Sequence, residues 1–301
     1  MKTFIIKLLA FFLLLVAADF AIGGIYRLYD HIKGGEIGKA HEIMTKVNPD
    51  ILILGSSRAA HHYNPEILKE ALQLQVYNAG FDGQGTLMDY GLLKGVSSRH
   101  KPRIIICELT PIFDIYQNAQ SSSISVLTPY SSFYQLDTLF NDIDPNEKYK
   151  LLSNSYIYNS KLFRIIPNII SGRIDFINGY KPSHGTLDKN RFTPKGKEPD
   201  FAVDSLKVRY FKKLISKADE LGATLIFAIS PEYYNTKSSE YYKMVFDIAA
   251  ERGIPILNHL HDPRFTGDPD LFIDSSHLNS QGADLFTTII AHEVDSICKS
   301  R

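Results

Sequence analysis

The chain has 301 residues, with 33 Lys and Arg balancing 33 Asp and Glu, and 44% of it is hydrophobic. That apolar content excludes intrinsic disorder, and the zero net charge argues against a nucleic-acid partner, which needs a basic surface to displace counterions. Two cysteines, Cys107 and Cys298, are too few for a disulfide framework, while the length suffices for a substantial core.

Lys2 and Lys7 flank a greasy run from Leu8 to Ala18, and apolar character resumes after Asp19 as far as Tyr26. A basic flank followed by a segment apolar on nearly every face is an export signal. Residues 1–26 are expected to remain as an inner-membrane anchor, with the lysines cytoplasmic and the rest of the chain outside. The alternative is cleavage near the small residues Val16-Ala17-Ala18, which leaves a secreted or periplasmic protein. Removing Lys2 and Lys7 leaves 31 basic against 33 acidic residues, so the exported part is slightly acidic.

Residues 27–301 are expected to form one α/β domain. Asp50 to Leu54, Arg103 to Leu109 and Thr224 to Ile229 are continuous apolar runs bounded by turn residues; Gln75 to Tyr77 and Ile254 to Leu257 are shorter ones. Such runs are strands buried on both faces of a parallel sheet. Helical patterns lie between them. Pro65 to Leu74 starts at an Asn64 cap, and Thr86 to Gly95 follows. Val203 to Leu221 stops at Gly222, Ser238 to Arg252 stops at Gly253, and Ser280, a candidate cap, opens the last helix to Cys298. The alternation predicts a doubly wound sheet with its site at the carboxyl ends of the strands. Residues 116–200 break the rhythm. Rich in Ser, Asn and Tyr, with Ser121-Ser122-Ser123 and some helix expected over Asn146 to Asn168, they read as an insertion or cap subdomain. Cys107, inside an apolar strand, is expected to be a buried free thiol.

Three features sit at the ends of predicted elements. Gly55-Ser56-Ser57-Arg58 follows the first strand, so a serine there projects its hydroxyl at the rim of the sheet. Asn78-Ala79-Gly80 follows the second, where a glycine can turn a backbone N–H toward an oxyanion. Asp274-Ser275-Ser276-His277 precedes the last helix, with an aspartate placed to hold the imidazole as a base. Singly, a Gly-Ser-Ser turn or an Asp-x-x-His pair is commonplace. In this order they resemble the SGNH (GDSL-like) hydrolases, over roughly 50–297 without the insertion.

The resemblance implies a three-layer, flavodoxin-like fold, Ser57 as nucleophile, and Asp274 and His277 as its partners. It implies an oxyanion hole from the N–H groups of Ser57 and Gly80, and no cofactor or metal. The Gly-Ser-Ser form followed by Arg58 resembles a membrane-anchored branch that acylates or deacylates bacterial surface polymers. The implied partners are an acylated glycan or other envelope polymer and a membrane-bound acyltransferase. The family's Gly-x-Asn block has no counterpart; Glu108-Leu109-Thr110-Pro111 occupies its strand end, which makes Asn78 and Thr110 candidate replacement donors. The same departure leaves open a catalytically inactive module that binds glycans or an acyltransferase.

Arg58 and His184 are candidate substrate contacts, while His61 and His62 are read as packing or surface residues. His259-Leu260-His261-Asp262 lacks a third spaced histidine, so a polar loop is expected there instead of a metal site. The tyrosines at 116, 130, 134, 149, 156 and 158 could stack on sugars or simply pack.

Overall fold

The structure, a computed structural model, describes residues 1–117, 124–158, 161–172, 174–188, 202–233 and 241–300. Ser121-Ser122-Ser123 and the expected helix start at Ser238 lie outside the described residues. The chain divides into two compact units, Met1–Glu42 with Ser125–Asp175, and Ile43–Ile124 with Phe176–Arg301.

The second unit carries an all-parallel sheet of β1 (Ile51–Gly55), β2 (Val76–Asn78), β3 (Ile104–Glu108), β4 (Thr224–Ile229) and β5 (Ile256–Asn258). The strand order is β2-β1-β3-β4-β5, so the winding reverses between β1 and β3. Alternate side chains serve opposite faces. Ile51, Ile53, Ile104, Ile106, Ile226 and Ala228 share one core with Phe286, Ile290 and Val294 of the helix Ser280–Lys299. Between them Leu52, Leu54, Ile105 and Phe227 are buried as well, and Phe227 stacks on Phe211 of the helix Ser205–Leu221 with ring centroids 5.3 Å apart. Cover on both faces is why these strands are continuously apolar.

The expected helices form, with their ends adjusted by local chemistry. Pro65–Leu72 begins at Asn64 as expected and stops where Gln73 turns left-handed (φ 54°). Ser205–Leu221 and Lys243–Arg252 end on left-handed Gly222 and Gly253. The last helix is capped by Asn279, not Ser280: the Gly282 N–H donates to Asn279 Oδ1 at 3.0 Å, while Ser280 Oγ donates to the Ser183 carbonyl at 2.7 Å. Cys107 is buried, Cys298 is exposed, and both are free.

In the first unit the helix Lys2–Gly23 has 22 residues, none of them buried. At about 1.5 Å per residue it is long enough for a hydrocarbon layer of about 30 Å. Its length and composition suit a membrane anchor or a signal. The Asp19 carboxylate accepts hydrogen bonds from Ser153 Oγ (2.8 Å) and from the N–H groups of Asn154 (3.0 Å) and Ser155 (2.7 Å), at the start of the short helix Asn154–Ile157. Between Asn146 and Asn168 the chain forms separate helices, Glu147–Lys150, Asn154–Ile157 and Leu162–Ser171. Tyr130 and Tyr158 are buried, and Tyr130 Oη pairs with His41 Nδ1 at 2.8 Å, so these two tyrosines pack within their unit.

Candidate active site

The end of β1 makes the first half of the site. Gly55 has φ 135°, and a Cβ on it would lie 2.7 Å from the Glu108 carbonyl oxygen, so glycine is required on both counts. The chain then turns into the helix Ser57–His62. Ser56 caps it weakly, accepting from the Arg58 N–H at 3.4 Å and pairing with Thr110 Oγ1 at 2.8 Å. Ser57 occupies the first helical position, where a backbone N–H has no intrahelical acceptor.

The loop before the last helix makes the second half. Asp274 Oδ1 accepts from the N–H groups of Ser276 (2.8 Å) and His277 (2.9 Å), folding the loop back on itself. His277 Nδ1 lies 2.9 Å from Asp274 Oδ2, and His277 Nε2 lies 2.8 Å from Ser57 Oγ. With the proton on Nδ1 held by the carboxylate, Nε2 accepts from the serine hydroxyl. Burial raises the Asp274 pKa, but the hydrogen bond and charge of His277 and the two backbone N–H groups outweigh it and hold the group below the usual carboxylate range. Ser57 at the start of the helix after β1, and His277 and Asp274 in the loop before the last helix, thus form one hydrogen-bonded chain, with Ser57 and His277 220 positions apart.

The other expected site residues are engaged by neighbouring protein groups. The Gly80 N–H donates to Asn78 Oδ1 at 3.0 Å, so the donor expected for an oxyanion is already engaged. Asn78 Nδ2 donates to the Ala59 (2.7 Å) and Tyr63 (2.9 Å) carbonyls, which makes Asn78 a brace for the nucleophile helix. Gly80 is there for close approach: a Cβ would lie 2.4 Å from Ala60 N. Arg58 turns inward, 4% exposed, with Nε 2.9 Å from Ser230 Oγ and Nη1 3.0 Å from Glu232 Oε1. Its partners among the described residues include Ser230, Glu232 and Glu108. His184 is exposed and pairs with Ser280 Oγ at 3.2 Å, at the start of the last helix.

A buried network beneath the site was not anticipated. Glu108 ends β3 and is fully buried. It accepts from the Ser230 N–H (3.0 Å), Ser230 Oγ (2.7 Å) and Tyr63 Oη, and pairs with Arg58 Nε at 3.1 Å. Burial pushes its carboxyl up, partly offset by Arg58 and these hydrogen bonds. His62 Nε2 accepts from the Leu278 N–H at 3.0 Å, so its proton sits on Nδ1 and donates to Ser230 Oγ at 2.7 Å. Burial and the charge of Arg58 hold His62 neutral. The network joins the nucleophile helix, β3, the turn after β4 and the residue after His277. Its one sequence signal was an acidic residue closing an otherwise apolar strand. His61, the other expected packing residue, is partly exposed and bonds Asp82 (3.0 Å) and the Lys181 carbonyl (2.7 Å).

Fold and site together define an α/β protein with a Ser-His-Asp chain at the carboxyl edge of a parallel sheet, at its topological switch point. No family model matches the chain, and no curated protein matches it. Among solved structures it is similar to a protein from Desulfitobacterium hafniense DCB-2 described as lipolytic and of the G-D-S-L family (12% identity, TM-score 0.41, 81% of this chain and 98% of that one). It is also similar to a Bacteroides fragilis protein described as an acylhydrolase (11%, 0.40, 86% and 94%). A Streptococcus pneumonia protein described as a platelet activating factor is a third (10%, 0.41, 92% and 98%).

Proposed function

We propose that the protein is a serine esterase or O-acyltransferase that acts on acyl groups, acetyl first among them, of a cell-envelope or extracellular polysaccharide. The observation that carries this reading is the Ser57–His277–Asp274 chain, with contacts of 2.8 and 2.9 Å. Ser57 Oγ attacks the acyl carbonyl while His277 Nε2 takes its proton. The Ser57 N–H receives the oxyanion, and His277 returns the proton to the leaving alcohol. The acyl-serine then passes its acyl group to water or to a sugar hydroxyl, which gives up its proton to His277, and His277 returns that proton to the departing Ser57 Oγ. Asp274 keeps the imidazole oriented and offsets its transient charge. The order of the Gly55-Ser56-Ser57, Asn78-Ala79-Gly80 and Asp274-Ser275-Ser276-His277 blocks, which resembles the SGNH hydrolases, supports the reaction class. The polymer substrate rests on that resemblance, and the retained inner-membrane anchor on the apolar helix Lys2–Gly23.

A second reading is a non-catalytic module that binds glycans or a membrane-bound acyltransferase. It is favoured by the engaged Gly80 N–H and by threonine at position 110, since loss of one oxyanion donor costs about 3 kcal/mol of transition-state stabilisation. Turnover of an acetyl ester, with and without an envelope polysaccharide as acceptor, separates the two. Turnover abolished by Ser57→Ala supports the enzyme, and transfer to polysaccharide in competition with water supports the transferase. No turnover and no transfer favours the binding module.

A further inference from the structure

The helix Leu162–Ser171 leaves an apolar face uncovered. Phe163 is 85% exposed, Ile166 50% and Ile170 80%. Spaced three and four residues apart, they line one stripe of the helix. Ile165 points into the unit and is fully buried, while Arg164 lies off the stripe, 3.8 Å from Glu36. Among the described side chains of this helix one is fully buried while three large apolar ones face outward in a row, a pattern that suits a second apolar phase.

The same unit supplies that phase. Through Asp19, the end of Lys2–Gly23 holds Ser153, Asn154 and Ser155, so the chain leading to this helix is tied to the end of the apolar segment. Asn168 packs against Gly35, whose N–H donates to Asp175 at 2.8 Å, bracing the helix from its other end. Tyr26, just past the apolar helix, stacks on the exposed Phe133 with centroids 5.9 Å apart, a ring pair suited to headgroup level. A stripe of three side chains is far smaller than the roughly 800 Å² per partner of a stable protein interface, which argues against a second copy.

We infer that the helix Leu162–Ser171 lies in the outer headgroup region of the membrane that holds Lys2–Gly23, with Phe163, Ile166 and Ile170 among the acyl chains. Amphipathic helices bind bilayers in this way. The inference rests on the anchored reading of residues 1–26.

The test uses the full chain carrying Cys298→Ser, which removes the exposed thiol and leaves the buried Cys107. An environment-sensitive fluorophore is placed at Ile170→Cys and, separately, at Phe163→Cys and Arg164→Cys. The proteins are reconstituted in phosphatidylethanolamine–phosphatidylglycerol vesicles containing lipids brominated near the headgroup. Quenching at 170 and 163 is expected to be at least about threefold that at 164. Equal or absent quenching in protein that still floats with the vesicles overturns the docking and leaves the anchor standing. A blue-shifted but unquenched label at 170 indicates a protein contact, such as a second copy, and also overturns it. Protein that fails to float overturns the anchor and this inference together.

Discussion

Asp89 sits one turn into the helix Thr86–Ser97, 1% exposed, and its Oδ1 accepts the N–H of Gly55 at 3.0 Å. It therefore fixes the turn that delivers Ser57. Its Oδ2 has no hydrogen-bond partner among the described residues. Burial pushes this carboxyl from 3.8 up to about 7, against the lowering effect of the Gly55 hydrogen bond. A folded value above the unfolded one means that the native state holds the extra proton. The associated stability is full below about pH 4 and is lost as pH rises toward 7. Moving a carboxyl from 3.8 to about 7 corresponds to about 4 kcal/mol. Buried Asp114, pushed up by burial and by Asp89, adds to the trend with the same sign. Asp89→Asn keeps the shape and the acceptor for Gly55 but does not ionise. It should match the wild type near pH 4 and exceed it by about 2–4 kcal/mol at pH 8. With no tryptophan in the chain, urea unfolding is followed by circular dichroism from pH 4 to 8. Parallel pH dependences for the two proteins would refute the argument.

Glu108→Ala removes one of the two carboxylates paired with buried Arg58, leaving Glu232, and should cost stability in urea unfolding, by less than the roughly 3–5 kcal/mol of a fully unpaired buried charge, whereas Arg58→Met with Glu108→Leu should recover much of the loss. Gly80→Ala places a Cβ 2.4 Å from Ala60 N, so it should displace the nucleophile helix and cut both the melting temperature and ester turnover. Asp274→Asn should lower ester kcat about 10⁴-fold, because the imidazole loses its tautomer control, and should also lower the melting temperature at neutral pH, because the carboxylate–imidazole contact is lost. As pH falls through the depressed Asp274 range, the wild type should lose the stability of the Asp274–His277 contact, a loss absent from the unfolding curve of Asp274→Asn.

The sheet was legible because both its faces are covered, which makes β1, β3 and β4 continuous apolar runs with few competing interpretations. Helix ends at Gly222 and Gly253 were legible because only glycine enters the left-handed region without cost. Ser57, Asp274 and His277 could be placed because each stands at the end of an element, where a parallel sheet gathers its chemistry. Side-chain direction was not legible. Arg58 turns inward to Glu108 and Ser230, the latter 172 positions away, and nothing local specifies that. The Gly80 N–H is claimed by Asn78, two residues earlier, in a side-chain turn that residue type alone does not distinguish from an open loop. The pairing of Ser125–Asp175 with Met1–Glu42 depends on contacts such as Asp19 with Ser153, more than a hundred positions apart, and left no periodic trace.

Everything proposed for the site depends on Ser57 being a nucleophile activated by His277. The most direct measurement is labelling of the folded protein with a fluorophosphonate, with the modified residue located by mass spectrometry. A single adduct on Ser57 is expected, lost in Ser57→Ala and strongly slowed in His277→Ala. An adduct on another residue, or labelling that persists in Ser57→Ala, would contradict it.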